Sequence, residues 1–112
     1  MVPFDTTAVP LMYPFTALAS ASLATYMAIG GGGSSVLPPI WSQMVSNQGN
    51  RAAFIGSVEG WLSTFNFQGV DLDWEFPSSD NDRDGFVALV REMRESFSAN
   101  YPGKNWGISV VL

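Results

Sequence analysis

Asp71, Asp73 and Glu75 alternate with Val70, Leu72, Trp74 and Phe76 along one short stretch of the chain. A period of two is that of a β-strand, so the three carboxylates project from one face and the apolar side chains from the other. Close carboxylates disfavour one another's ionisation, and a proton shared within such a row is what a general acid needs. Glu75 is nearest the C-terminal end of the strand and has the longest side chain, which makes it the candidate acid, with Asp73 and Asp71 behind it. An amphipathic surface strand would also set three acids in water against four apolar groups in a core, so the pattern alone leaves both readings open.

The rest of the composition narrows the chemistry. The 112 residues contain no cysteine and no histidine, which excludes disulfides, Cys/His zinc sites, thiol nucleophiles and a Ser-His-Asp triad. Five basic against ten acidic residues, for a net charge of −5, argue against a nucleic-acid partner. Hydrophobic residues make up 46% of the chain, too many for a disordered tail. The uncharged stretch between Asp5 and Arg51 invites a membrane reading. Its most apolar part, Leu11 to Ile29, is interrupted by Pro14 and several Ser and Thr residues, and no basic residue precedes it. It fits neither a spanning helix nor a signal peptide.

The elements that must position the acids follow from periodicity. Phe15 to Ser22 reads as a short helix, and Leu23 to Ile29 as a buried strand entering the glycine run Gly30 to Gly33. Phe54, Val58, Trp61, Leu62 and Phe65 recur at helical spacing, so Arg51 to Phe65 is a helix with Asn50 as its expected N-cap. The acidic strand runs from Gly69 to Phe76 and is closed by Pro77. Phe86, Leu89, Val90, Met93 and Phe97 mark a further amphipathic helix, with Asp82 or Asp84 favouring its N-terminus. Trp106 to Leu112 reads as a third strand. Strand, helix, strand, helix, strand is the order of parallel βαβ units, in which carboxylates on one strand face point into a barrel and apolar groups pack under helices.

Competing motifs are weaker. Asp80-Asn81-Asp82-Arg83-Asp84-Gly85 matches the opening of a calcium loop, but Arg91 stands at position twelve and a strand precedes it, so a solvated loop before a helix is the better reading. Gly30 to Gly33 with Ser34 and Ser35 lacks the lysine of a phosphate loop. Trp61 and Trp74 fall on apolar faces and read as core, whereas Trp41, in a Pro-rich loop, is a candidate for stacking on a sugar.

Gln68-Gly69-Val70-Asp71-Leu72-Asp73-Trp74-Glu75-Phe76-Pro77 resembles the Asp-Gly-x-Asp-x-Asp-x-Glu active-site strand of family 18 glycoside hydrolases, the chitinase family. Ala28-Ile29-Gly30-Gly31 is similar to that family's Ser-x-Gly-Gly strand end, and Met44 through Phe54 to its helix before the catalytic strand, particularly in fungal chitinases. The resemblance spans nearly the whole chain and implies an α/β fold. Residues 1–112 would be an incomplete catalytic domain, a partial (β/α)8 TIM barrel with about strands three to five.

The resemblance implies catalytic roles for Glu75, Asp73 and Asp71, and a sugar-binding floor of Gly30, Gly31 and Phe76. It implies hydrolysis of chitin by a substrate-assisted retaining mechanism with no cofactor and no metal. The partners would be chitin or N-acetylglucosamine oligosaccharides, with no nucleic acid or membrane, on an extracellular, monomeric parent enzyme. With five strands missing, the chain alone is expected to be inactive. Departures from the family pattern are Gln68 at its first acid, Ala28 at its serine, Phe76 at its usual tyrosine and Gly32 at a common tryptophan. A non-catalytic chitin-binding protein and an endo-N-acetylglucosaminidase acting on N-glycans are the alternatives.

Overall fold

A computed structural model describes residues 9–31 and 38–111. The elements are α1 (Val9–Thr16), β1 (Tyr26–Gly30), α2 (Pro38–Val45), α3 (Gln48–Phe65), β2 (Gly69–Asp73), α4 (Asp80–Asn100) and β3 (Gly107–Val110). The strands form one parallel sheet in the order β1-β2-β3, the arrangement expected from the alternating pattern. The register pairs Tyr26, Gly69 and Gly107 across the sheet, then Ala28, Asp71 and Ser109, with Gly30 beside Asp73.

Parallel strands need helical crossovers, and α3 and α4 provide them. Both bury their apolar stripe against one sheet face, where Val70, Leu72 and Trp74 meet Val58, Leu62, Leu89 and Met93 in the core. Two caps fix the helix entries. Asn47 Oδ1 accepts from the Asn50 backbone N–H at 3.1 Å and Ser79 Oγ from the Asp82 backbone N–H at 3.0 Å. The N-cap of α3 is therefore Asn47 rather than Asn50, because α2 ends at Val45 and α3 turns away within two residues.

Three boundaries differ from expectation for traceable reasons. Helix α1 runs through Pro14 and ends at Thr16 instead of spanning Phe15 to Ser22, since Tyr13 anchors it by donating to the Thr64 carbonyl at 3.0 Å and by a ring contact with Phe65. Helix α2 occupies what reads as a Pro-rich loop. Pro38 and Pro39 open its first turn, where a missing N–H costs nothing. The residues from Asp80 to Gly85 are helical from the outset, not a loop, so the calcium-loop pattern has no loop to act through. Gly32, Gly33, Ser34, Ser35 and Leu112 lie outside the described residues. No helix among those described is long and apolar enough to cross a membrane.

Candidate active site

Strand β2 ends at Asp73, not Phe76, because β1 stops opposite it at Gly30 and β3 pairs only as far as Leu72. Asp71 and Asp73 lie on the sheet face opposite Val70 and Leu72, and Glu75 follows two residues past the strand end. All three are half-buried, while Trp74 between them is 2% exposed. Within the strand the alternation has the meaning expected, with Val70 and Leu72 under helices and Asp71 and Asp73 on the other face; Phe76, expected with the apolar set, is instead exposed because it lies past the strand end.

Each acid has a different setting. Asp71 accepts a hydrogen bond at Oδ1 from the Ser109 hydroxyl at 2.7 Å. Asp73 has its Oδ1 buried with no hydrogen-bond partner among the described residues. An unpaired buried acceptor costs about 1–3 kcal/mol unless a donor arrives, so this oxygen is suited to receive one. Glu75 has no hydrogen-bond or ion-pair partner among the described residues, which leaves its carboxyl unencumbered.

The glycines at the end of β1 are fitted to Asp73. Gly30 has φ +105° and Gly31 φ +96°, conformations that side chains disfavour. A Cβ on Gly30 would collide with the Asp73 carbonyl oxygen, and one on Gly31 would stand 3.3 Å from Asp73 Oδ2. The Gly31 backbone N–H donates to the Asp73 carbonyl at 2.9 Å. The two glycines thus close the end of β1 onto the second acid, a backbone role that sequence pattern alone did not separate from sugar contact. Phe76 is 64% exposed and free to present its ring outward.

Trp41 is not a surface platform. It is 2% exposed and stacks on Trp74, with ring centroids 5.4 Å apart and planes 9° from parallel. It looked available only while α2 was read as a loop. Trp61 packs against the core, as its helical position implies. Trp106, which the sequence could not place, is buried edge-on to Phe97.

One residue, Ser109, escaped notice in the sequence, and the role of a second, Gln68, was not legible there. Ser109 is separated from Asp71 by an entire helix, and only the register of two parallel strands brings them together; its parity with Gly107 was the available signal. Gln68, standing where the resemblance leads one to expect an acid, clasps β1 instead. Its Oε1 accepts from the Thr25 backbone N–H at 2.7 Å and lies 3.3 Å from the Thr25 hydroxyl.

Two acids elsewhere, Asp82 and Glu92, are committed to structure. Burial of Asp82 would raise its pKa, but hydrogen bonds from Ser42, Ser78 and Ser79 outweigh this and hold it below the ordinary carboxylate range. Hydrogen bonds from Arg51 likewise lower Glu92, against desolvation and with added Coulombic attraction. No group of three or more potential metal-ligating side chains occurs among the described residues.

Comparison with known proteins agrees with this geometry. The model of "Glycosyl hydrolases family 18" matches residues 7–112. An endochitinase of Manduca sexta is 34% identical over 104 residues, covering 88% of this chain and 18% of the endochitinase. The chain thus spans less than a fifth of that relative's length. A chitinase-like agglutinin from Robinia pseudoacacia superposes with a TM-score of 0.85 at 32% identity, covering 96% of this chain and 34% of the agglutinin. The second catalytic domain of an Ostrinia furnacalis Group II chitinase, a mutant solved in complex with (NAG)5, gives a TM-score of 0.83 at 27% identity, over 94% of this chain and 29% of that domain. The three described strands correspond to part of a TIM barrel. By sequence over nearly its whole length and by fold, this chain belongs to family 18 of the glycosyl hydrolases.

Proposed function

We propose that this chain forms part of a catalytic domain that hydrolyses β-1,4-linked N-acetylglucosamine polymers. The observation that carries the reading is Asp71 and Asp73 on the sheet face away from the helices, with Asp73 Oδ1 buried and unpartnered among the described residues and Glu75 two residues past the strand end. In barrels of this kind the C-terminal ends of the strands carry the chemistry.

Glu75 protonates the leaving oxygen and later activates water. No second carboxylate attacks the sugar; the substrate's own 2-acetamido oxygen does, the exception among retaining glycosidases to which this family belongs. Asp73 orients the acetamido group, and its unpartnered Oδ1 is suited to accept the amide N–H while offsetting positive charge on the oxazolinium-like intermediate. Asp71 acts from behind through Asp73. Gly30, Gly31 and Phe76 form the floor on which the sugar rests. The partners are chitin or its oligosaccharides, met outside the cell by a monomeric enzyme.

Turnover requires strands beyond the three described, because among the described residues β1 and β3 each keep one unpaired edge and the acid-bearing face has no opposing wall. The isolated 112-residue chain is therefore expected to show no hydrolysis, and measurable turnover by it would overturn this part of the proposal.

The test is Glu75→Gln in a complete protein that carries this chain. Turnover of N-acetylglucosamine oligomers is expected to vanish while binding is largely kept, and cellulose oligomers, which lack the acetamido group, are not cleaved. Full activity in the variant or efficient cleavage of cellulose oligomers would overturn the reading. The likeness to a chitinase-like agglutinin favours one second reading, a sugar-binding protein without turnover. Oligomer binding by an unsubstituted complete protein that cleaves nothing would decide for it.

A further inference from the structure

We propose that Ser109 is a positioning residue for the carboxylate row, fixing Asp71 from the β3 side because β1 offers no donor there. The inference rests on the proposed glycosidase chemistry and adds to it a residue outside the acidic strand.

The argument starts from register. Asp71 lies between Ala28 on β1 and Ser109 on β3. Its side chain can therefore be reached from two flanks on the same sheet face. Ala28 has no hydrogen-bonding group, so the β1 flank contributes nothing. Ser109 donates its hydroxyl to Asp71 Oδ1 at 2.7 Å, a distance typical of a well-formed O–H···O bond. A serine hydroxyl has one proton, and with that proton given to Oδ1 this oxygen acts as acceptor only. Any proton passed along the row must then use the other Asp71 oxygen or Asp73.

The neighbouring layers support this role. At the level of Asp71 the sheet presents a small residue on one side and a hydroxyl on the other. One level below, Gly69 and Gly107 lie against the Tyr26 ring, which stands where their side chains would be. One level above, Gly30 and Gly31 hold Asp73 by its carbonyl. The second acid is thus held through its backbone, whereas the Asp71 side chain has one hydrogen-bonded anchor among the described residues, the Ser109 hydroxyl. Losing that anchor frees the carboxylate to rotate without disturbing the helix-packed core on the opposite face.

Three variants in a complete protein carrying this chain test the proposal. Ser109→Ala removes the donor, Ser109→Thr keeps it, and Ser109→Val copies the shape of threonine without it. With N-acetylglucosamine oligomers, Ala and Val are expected to lower kcat about tenfold with KM within about twofold, while Thr stays within about twofold of the unsubstituted protein. Unchanged kcat in Ala and Val, or equal loss in Thr and Val, would overturn it.

A second readout does not depend on turnover. Three-bond NMR couplings of selectively labelled aspartate should report one Asp71 χ1 rotamer in the unsubstituted and Thr proteins and averaging in Ala and Val. A single rotamer in all four would overturn the inference. If the unsubstituted protein cleaves nothing, the glycosidase reading fails, and the couplings decide on Ser109 by themselves.

Discussion

The two faces of the three-stranded sheet differ in how far neighbouring sequence completes them. On one, Val70 and Leu72 are wholly buried and Trp74 is sandwiched between Trp41 and Phe86, all covered by helices adjacent in sequence. On the other, Asp71 and Ser109 meet across strands, Tyr26 is 38% exposed, and no helix among the described residues covers them. Packing of a βα unit is a local matter, settled within a few tens of residues. The chemical face of a barrel is built by strands from all around it, so its partners are distant by design.

The sharpest way to break this comparison is Glu75→Gln. If the open face holds chemistry and little stability, turnover in a complete protein falls by about a thousandfold or more while the thermal midpoint stays within about 2 °C. A collapse of the midpoint would mean that the acid-bearing face is structural after all. Trp74→Ala, one residue away on the covered face, should do the reverse in kind. Removing a buried indole stacked on Trp41 costs about 3–5 kcal/mol, read as a drop in the denaturant midpoint. A loss below 1 kcal/mol would show that the covered face is not the stabilising one.

This contrast also explains what the sequence made legible. The period of two over residues 69–76 placed the acids and the strand, and the period near 3.6 placed α3 and α4, because those patterns record burial against adjacent elements. The reading failed where context overrode local signals. The helix expected over Phe15 to Ser22 lies earlier, at Val9–Thr16, because Tyr13 and Phe65 hold it through Pro14. Pro38 and Pro39 were taken as loop residues, though they open α2, and the error turned a buried Trp41 into a surface candidate. Ser109 offered only its parity with Gly107, since its partner lies a whole βα unit away. The roles of Gln68 and Gly30 likewise needed the register before they could be seen.

Gly31 sits where the two faces' demands meet, a backbone position that brings β1 onto Asp73. Gly31→Leu places a branched side chain at a positive φ, with its Cβ about 3.3 Å from Asp73 Oδ2. Binding of N-acetylglucosamine oligomers to a complete protein should weaken by about tenfold, with stability falling by about 2–3 kcal/mol from the backbone strain. Calorimetric titration reads the first effect and denaturant unfolding the second. Unchanged affinity would confine the glycine to its backbone role and remove it from the sugar floor.

The smallest expected effect lies on the helix-covered side and tests whether its electrostatics are as self-contained as its packing. Arg51 on α3 donates from Nε and Nη2 to the Glu92 carboxylate on α4, at 3.0 Å and 2.9 Å, and from Nη1 to the Val45 carbonyl that ends α2, at 2.8 Å. One guanidinium thus ties three helices together, and the ion pair is largely shielded, with 14% and 20% side-chain exposure. Arg51 lowers the Glu92 pKa in the folded protein first through these hydrogen bonds and then through Coulombic attraction, against desolvation. A depressed folded-state value means that the contribution is fully present above the unfolded glutamate value of about 4.3 and disappears as pH falls through the lower folded value. Glu92→Gln keeps the shape and removes the charge, so it should cost about 1–2 kcal/mol at pH 7. Asp82 is depressed as well, and both proteins lose its contribution in acid, so the quantity to follow is the difference between them. That difference, from urea unfolding at a series of pH values, should hold steady down to about pH 5 and shrink toward zero well below the unfolded glutamate value. A gap that persists undiminished to pH 2 would mean that glutamine fails through packing, and that the charge contributes nothing to joining the helices.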